Sequence, residues 1–122
     1  MAARTLEIAN YVRDTSTNRV EAGKQTARTF TTVNSGHNRQ RLSIGTSEVT
    51  ITIPSSIGDA GICVVENLDG TNFIKVGYAT GNYVHRIPKG QIMQLWLEPT
   101  VTTLYAIADT AACEASFDTF ER

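Results

Sequence analysis

Residues 48–53, Glu-Val-Thr-Ile-Thr-Ile, decide the fold class of this chain. Val49, Ile51 and Ile53 alternate with polar residues, so in a β-strand these three side chains lie on one face and the threonines on the other. Pro54 follows at once and ends the strand, because proline cannot donate to a strand ladder. The stretch therefore predicts a strand with one apolar face and one polar face.

Strand-like runs continue on both sides of this stretch. They cover residues 26–33, 62–65, 72–78, 83–87, 91–97, 102–108 and 112–120, with turn residues between them. Eight or nine strands with a turn about every ten residues predict an all-β protein. We expect an antiparallel, jelly-roll-like β-sandwich of about eight strands, or a small barrel. The Asp69-Gly70 pair between two of the runs predicts a hairpin there.

The N-terminal part of the chain is less regular. Residues 4–13 alternate loosely, and their pattern leaves a strand and a short helix both open. Residues 14–25 are polar and predict a loop or an extended segment. We therefore expect an extended N-terminal arm over residues 1–25 and a β-sandwich domain over residues 26–122.

Length and composition are typical of a globular protein of one domain. A chain of 122 residues suits one domain, and 41% hydrophobic with 19% charged residues is ordinary for a globular fold. A net charge of −1 argues against a nucleic-acid partner, which usually needs a basic surface. No apolar run approaches the ~20 residues of a membrane helix, and no secretory signal is visible. We therefore expect no membrane partner.

Charge is divided unevenly along the chain. Residues 1–45 carry seven basic and three acidic side chains, whereas residues 46–122 carry four basic and nine acidic ones. One interpretation is an ordinary solvated surface. The other is an N-terminal arm that docks onto an acidic partner or onto the acidic body of a neighbouring copy. The candidate contact residues are Arg13, Arg19, Arg28, Arg39 and Arg41.

Residues suited to catalysis or metal binding do not form a recognisable motif. The two histidines, His37 and His85, have no spacing typical of a zinc site. Cys63 lies in an apolar run, where burial would make its thiol inert, and we expect Cys63 and Cys113 to be reduced core residues. Asp69 begins a stretch that resembles only a fragment of a calcium loop. We expect no enzyme activity, no metal and no cofactor.

One strand-like run presents a possible interface. If Met93, Leu95 and Leu97 face the core, Ile92 and Trp96 face outward. An outward tryptophan beside an isoleucine is typical of a subunit interface, so Ile92 and Trp96 are candidate interface residues. The alternative is that both faces of this strand are covered within one chain.

Four segments resemble small β-sandwich virion proteins of tailed bacteriophages. They are residues 43–48 (Ser-Ile-Gly-Thr-Ser-Glu), residues 66–77 (Glu-Asn-Leu-Asp-Gly-Thr-Asn-Phe-Ile-Lys-Val-Gly), residues 87–91 (Ile-Pro-Lys-Gly-Gln) and residues 104–111 (Leu-Tyr-Ala-Ile-Ala-Asp-Thr-Ala). In those proteins an N-L-D-x-T-N hairpin precedes an x-G-[EQ] turn and a Y-A-x-A-D-T strand. Gln91 stands where an acidic residue is common. The resemblance covers about residues 40–122.

The resemblance implies a capsid decoration, or cement, protein. Such a subunit would bind the major capsid protein as a homotrimer on the outer surface of the head, after synthesis in the host cytoplasm. One alternative is a tail, baseplate or head–tail junction subunit with the same sandwich. Another is a carbohydrate-binding module, which would need Tyr78, Tyr83 and Trp96 to line one face. An enzyme is the third class of function considered, and the lack of a recognisable catalytic motif argues against it.

Overall fold

The computed structural model describes residues 4–32 and 36–122. The chain divides into two compact units, residues 1–35 and residues 36–122. The first unit contains an antiparallel β-hairpin. The second unit, called the jelly-roll unit below, contains two four-stranded antiparallel sheets.

The hairpin consists of β1 (Arg4–Asp14) and β2 (Arg19–Thr32). Residues 4–13, for which sequence left strand and helix open, are therefore a strand. The predicted strand at 26–33 is present up to Thr32, and Val33 lies outside the described residues. That strand pairs with β1 and belongs to neither sheet of the sandwich.

The polar segment at 14–25, predicted as a loop or an extended segment, is paired strand from Arg19 onward. Cross-strand pairing with β1 overrides the weak propensity of these residues. Asn18 supplies the positive φ, 56°, of the turn at residues 15–18. The division between the two units thus lies at residue 35, whereas the sequence placed the end of the arm at residue 25.

Eight strands build the jelly-roll unit. They are β3 (His37–Ile44), β4 (Val49–Thr52), β5 (Ala60–Asn67), β6 (Ile74–Gly77), β7 (His85–Ile87), β8 (Ile92–Trp96), β9 (Thr103–Ala108) and β10 (Cys113–Glu121). The first sheet has the order β3-β10-β5-β8 and the second has the order β4-β9-β6-β7. Eight antiparallel strands in this order form a jelly roll, which confirms the predicted fold class. A 3-10 turn at Ser55–Ile57 lies between β4 and β5.

The core lies between the two sheets. Alternating residues of each strand point into it, as the sequence pattern of β4 predicts, and Phe117 of β10 is its largest fully buried side chain. Cys63 and Cys113 are both buried and reduced, as predicted. Burial of these apolar side chains provides the main driving force for folding of the unit.

The Asp69-Gly70 pair does not form the predicted hairpin. β5 belongs to the first sheet and β6 to the second, so the loop between them crosses from one sheet to the other. The prediction was wrong because turn chemistry reports a change of chain direction but not which sheet the next strand joins. The hairpin nearby is formed instead by β6 and β7, which pair within the second sheet.

The two ends of the jelly-roll unit are fastened together. The backbone N–H of Glu121 donates to the carbonyl of Gly36 at 2.8 Å, and the N–H of Gly36 donates to Oε2 of the Glu121 side chain at 3.1 Å. Glu121 is buried although it is an acid. A side chain at position 36 would meet that carboxylate and displace it from its hydrogen bond with the Gly36 N–H.

Candidate interaction surface

The outer face of the first sheet carries four of the seven candidate residues. This face comprises the side chains that alternate with the core residues: His37, Arg39, Arg41 and Ser43 on β3; Glu114, Ser116, Asp118 and Phe120 on β10; Ile62, Val64 and Glu66 on β5; Ile92, Gln94 and Trp96 on β8. The strand order places Arg39 and Arg41 at one edge of the sheet and Ile92 and Trp96 at the other.

Both β3 arginines form ion pairs within this face. Nε of Arg39 lies 2.8 Å from Oδ1 of Asp118, and Nη2 of Arg41 lies 2.6 Å from Oε2 of Glu114. Partial burial favours a higher pKa for the Asp118 carboxyl, but hydrogen bonds from Arg39 and His37 outweigh it and lower that pKa. The charges of the two arginines are therefore balanced inside the jelly-roll unit. This makes Arg39 and Arg41 weaker candidates for contact with an acidic partner.

Ile92 and Trp96 are exposed at the two ends of the edge strand β8. Their exposed fractions are 61% and 62%, so the expectation that they face away from the core is confirmed. In the register of the sheet, Ile62 lies between Trp96 and Phe120, and it is only 2% exposed although it is on the outer face. Apolar anchors beside charged residues are typical of a protein–protein interface.

The other three candidate arginines belong to the hairpin. Arg13 of β1 is half-buried and pairs in register with Val20, whereas Arg19 is exposed at the start of β2. Arg28 pairs in register with Ile8, and its side chain lies outside the described part of the structure. These three arginines thus belong to a different unit from Arg39 and Arg41.

Residues 66–77, the longest of the four segments that carry the resemblance, build a corner of the sandwich. Asn67 is fully buried, and its Nδ2 donates to the carbonyls of Asn72 at 2.9 Å, Ile87 at 3.2 Å and Pro88 at 3.2 Å. Its Oδ1 accepts the backbone N–H of Asp69 at 3.0 Å. One side chain thus joins the β5–β6 loop to the β7–β8 turn.

The carboxylate of Asp69 has a structural role in the same corner. Its Oδ2 accepts the backbone N–H groups of Asn72 at 2.6 Å and Thr71 at 2.9 Å. These two hydrogen bonds lower the pKa of Asp69. Among residues 4–32 and 36–122, no group of three His, Cys, Asp or Glu side chains is placed to hold a metal ion.

The outer face of the second sheet holds a cationic group that sequence reasoning missed. Lys75 of β6 and Arg86 of β7 lie directly opposite each other and are exposed. Arg86 lies with Cζ 3.8 Å from the centroid of the Phe73 ring, and Nζ of Lys75 lies 5.8 Å from it. The signal was available, because pairing the runs at 72–78 and 83–87 around residues 80–82 brings Lys75 and Arg86 together.

Residues considered for catalysis lie in separate places. Cys63 points into the core, where its Sγ accepts a hydrogen bond from Thr119 at 3.6 Å and burial raises its pKa to about 11. His37 lies on the outer face, stacked on Phe120 with ring centroids 4.4 Å apart. The thiol and this imidazole therefore do not meet. At neutral pH the Cys63 thiol carries almost no thiolate.

The aromatic residues of the carbohydrate-binding alternative do not line one face. Trp96 belongs to the first sheet, whereas Tyr78 and Tyr83 lie in the connection between β6 and β7 of the second sheet. Tyr83 donates its hydroxyl to Oε1 of Glu48 at 2.7 Å, and Tyr78 contacts His85 at 3.1 Å. Each tyrosine hydroxyl thus forms a hydrogen bond with a side chain of the same unit.

This chain is distantly similar to one solved structure. No protein-family model matches the chain, and no curated protein does. A solved structure from Bacillus endospore appendages, described as a novel family of disulfide-linked pili, is 15% identical with a TM-score of 0.46. The alignment covers 71% of this chain and 87% of that chain. Among the described residues, no helix is long and apolar enough to cross a membrane.

Proposed function

We propose that this protein is a structural subunit of a virion that acts without catalysis. Its role would be that of a capsid decoration protein, which binds the assembled head of a tailed phage and bridges neighbouring copies of the major capsid protein. The observation that carries the proposal is the hairpin of β1 and β2, which pairs with neither sheet of the jelly roll. Jelly rolls occur in viral capsid domains as well as in other proteins, so the fold is compatible with this role.

The hairpin suits docking because a two-stranded ribbon is only marginally stable in water. Leu6 and Ile8 alternate along β1 with exposed residues, so the ribbon has an apolar side as well as a polar one. Residues 1–35 carry five basic and three acidic side chains. A ribbon of this kind gains stability from a further surface with acidic groups, and the shell of a head would supply one.

Stabilisation of the shell would follow from mass action. A subunit that binds only the assembled head stabilises that state in proportion to its occupancy. Association of three copies through Ile92 and Trp96 on the outer face of the first sheet would add avidity, since weak single contacts become strong together. The protein would then be a homotrimer on the capsid surface.

Docking is tested by sedimentation with purified heads that lack decoration protein. The charge-reversal variant Arg13→Glu/Arg19→Glu should sediment with heads much less than the unmodified protein does. The matched control Lys89→Glu/Arg122→Glu makes the same change of charge in the jelly-roll unit and should bind normally. Equal binding by both variants, or no binding by the unmodified protein, would overturn the proposal. A density map of the particle separates the shell from a tail, baseplate or head–tail junction location.

Oligomerisation is tested separately by light scattering on the purified protein. Ile92→Ser should reduce the mass toward that of one chain. Val84→Ser is the matched control, because Val84 is 57% exposed on the connection between β6 and β7 and lies outside the first sheet. A mass of one chain for the unmodified protein at micromolar concentration would contradict the trimer.

A further inference from the structure

The cationic group on the second sheet has a geometry that favours binding of an anion. We call Phe73, Lys75 and Arg86 the cation cluster. Lys75 and Arg86 occupy directly opposite positions of β6 and β7, and both charges lie over the ring of Phe73, at 5.8 and 3.8 Å from its centroid. Attraction between the cations and the face of the ring holds the two charges near each other.

Neither cation is balanced within the described part of the chain. No carboxylate of residues 4–32 and 36–122 lies within 4.0 Å of Lys75 or Arg86, whereas Arg39 and Arg41 on the first sheet each have one. Asp109 adjoins this corner, where its backbone N–H donates to the carbonyl of Phe73 at 3.2 Å, and its carboxylate is in none of the ion pairs of the described residues. Two like charges placed opposite each other on a sheet are unfavourable, and an anion between them relieves that repulsion.

The shape of the cluster selects the kind of anion. A distance of 3.8 Å from Cζ of Arg86 to the ring centroid is typical of a guanidinium that stacks by its face. That arrangement leaves the N–H groups at the edge of the guanidinium to pair with a carboxylate. Lys75 adds a point charge on the adjacent strand. The cluster lies on an open sheet face beside the edge strand β7, which suits an extended segment of a partner.

Charge complementarity favours an acidic partner. Residues 36–122 carry nine acidic and six basic side chains, and two of the basic ones, Arg39 and Arg41, are already paired. An acidic partner is repelled by most of the jelly-roll unit and attracted by the cation cluster, which gives one preferred site of contact. We propose that the cation cluster binds carboxylate side chains of an acidic segment of a partner protein. This site belongs to the jelly-roll unit, and its proposal does not rest on the virion role.

The test uses the full chain and labelled poly-L-glutamate in a fluorescence anisotropy titration at low salt. Replacing both cations, in Lys75→Gln/Arg86→Gln, should weaken binding about tenfold, since each exposed ion pair contributes about threefold. The control Lys89→Gln/Arg122→Gln makes the same change of charge outside the cation cluster. Its dissociation constant for poly-L-glutamate should stay within about twofold of that of the unmodified protein. Far-UV circular dichroism and the emission of Trp96 check that all variants are folded.

Two further measurements sharpen the result. Phe73→Leu keeps both charges but removes the ring, so it should weaken binding less than the double variant does. Heparin is tested in parallel as a sulfated polysaccharide. Absence of poly-L-glutamate binding, equal loss in the control variant, or binding of heparin alone through the cluster would each overturn the proposal. Because the assay needs no heads, its failure is distinct from failure of the sedimentation test.

Discussion

The corner held by Asn67 allows a quantitative prediction. In Asn67→Ala the carbonyls of Ile87, Pro88 and Asn72 lose their common donor, and the backbone N–H of Asp69 loses its acceptor. The bond to Ile87 is buried, and an unsatisfied buried group costs about 1–3 kcal/mol. The remaining bonds are partly exposed, so water replaces them and each contributes about 0.5 kcal/mol at the low end of the usual range.

The expected loss is therefore about 2.5–4.5 kcal/mol in the free energy of unfolding. For a unit of this size that loss lowers the melting temperature by roughly 10–30 °C. The assay is urea denaturation followed by the emission of Trp96, which is the only tryptophan in the sequence and lies in the jelly-roll unit. Far-UV circular dichroism is recorded in parallel, because Trp96 is already 62% exposed in the folded unit.

Two further variants make the test specific. Asn72→Ala is the control: it removes one exposed hydrogen bond, from Thr110 to Oδ1 of Asn72, and leaves the Asn72 carbonyl in place, so we expect a loss below about 1 kcal/mol. Asn67→Asp turns a donor into an acceptor facing three carbonyls, and it should regain stability as the pH falls and the new carboxyl becomes protonated. A loss in Asn67→Ala no larger than that in Asn72→Ala would refute the reasoning.

Three more predictions follow from single contacts. A side chain at Gly77 would overlap the carbonyl of the β6–β7 connection, so Gly77→Ala should cost about 1–3 kcal/mol in urea denaturation. Gly70→Ala, where nothing lies within 4 Å, should change the stability by less than about 0.5 kcal/mol, and equal effects would contradict the packing argument. The pKa of Asp69 is lowered in the folded state, first by the N–H of Asn72, so its contribution is present above the unfolded pKa and is lost as the pH falls through the folded pKa. Asp69→Asn should therefore flatten the acid limb of the stability profile, and an unchanged profile would count against it. Cys63, with a pKa of about 11, should react with a thiol reagent at pH 8 only after unfolding, and fast reaction of the native protein would show that it is accessible.

The sheets could be predicted from sequence because their strands have simple patterns. Val49, Ile51 and Ile53 point to the core as alternation requires, and Leu95 does the same on β8. The exposed positions of Ile92 and Trp96 followed from the same alternation. Period-two patterns are reliable where one face of a strand is buried, because a shift of one residue would expose the whole apolar face.

The pairing of strands was harder to predict. β2 begins in a polar stretch, and its partner β1 has only a loose pattern, so their pairing depends on contacts that no local propensity reports. Asp69 and Gly70 signalled a change of direction, but the strands on either side join different sheets. Choosing a sheet depends on the whole set of long-range contacts, which a window of ten residues does not contain.

The candidate site residues were hard to predict for the same reason, because their neighbours in the fold are distant in the sequence. Composition singled out Arg39 and Arg41, whose partners Asp118 and Glu114 are more than 70 residues away in sequence and become neighbours only in the sheet. Lys75 and Arg86 were not singled out, because each is an isolated charge until β6 and β7 pair. Charge counted along a chain thus gives the sign of a region, whereas the register of its strands decides which charges face an incoming molecule.

The fastening of Gly36 to Glu121 has a practical consequence for engineering. Since the first and penultimate residues of the jelly-roll unit exchange hydrogen bonds, anything fused after Arg122 emerges beside the point where the chain continues into residues 1–35. A tag or reporter intended to leave both that junction and the hairpin undisturbed belongs elsewhere, for instance in the exposed residues 79–82 between β6 and β7. The same proximity means that in a circular permutant of the jelly-roll unit alone, residues 36–122, a short linker could join Arg122 to Gly36.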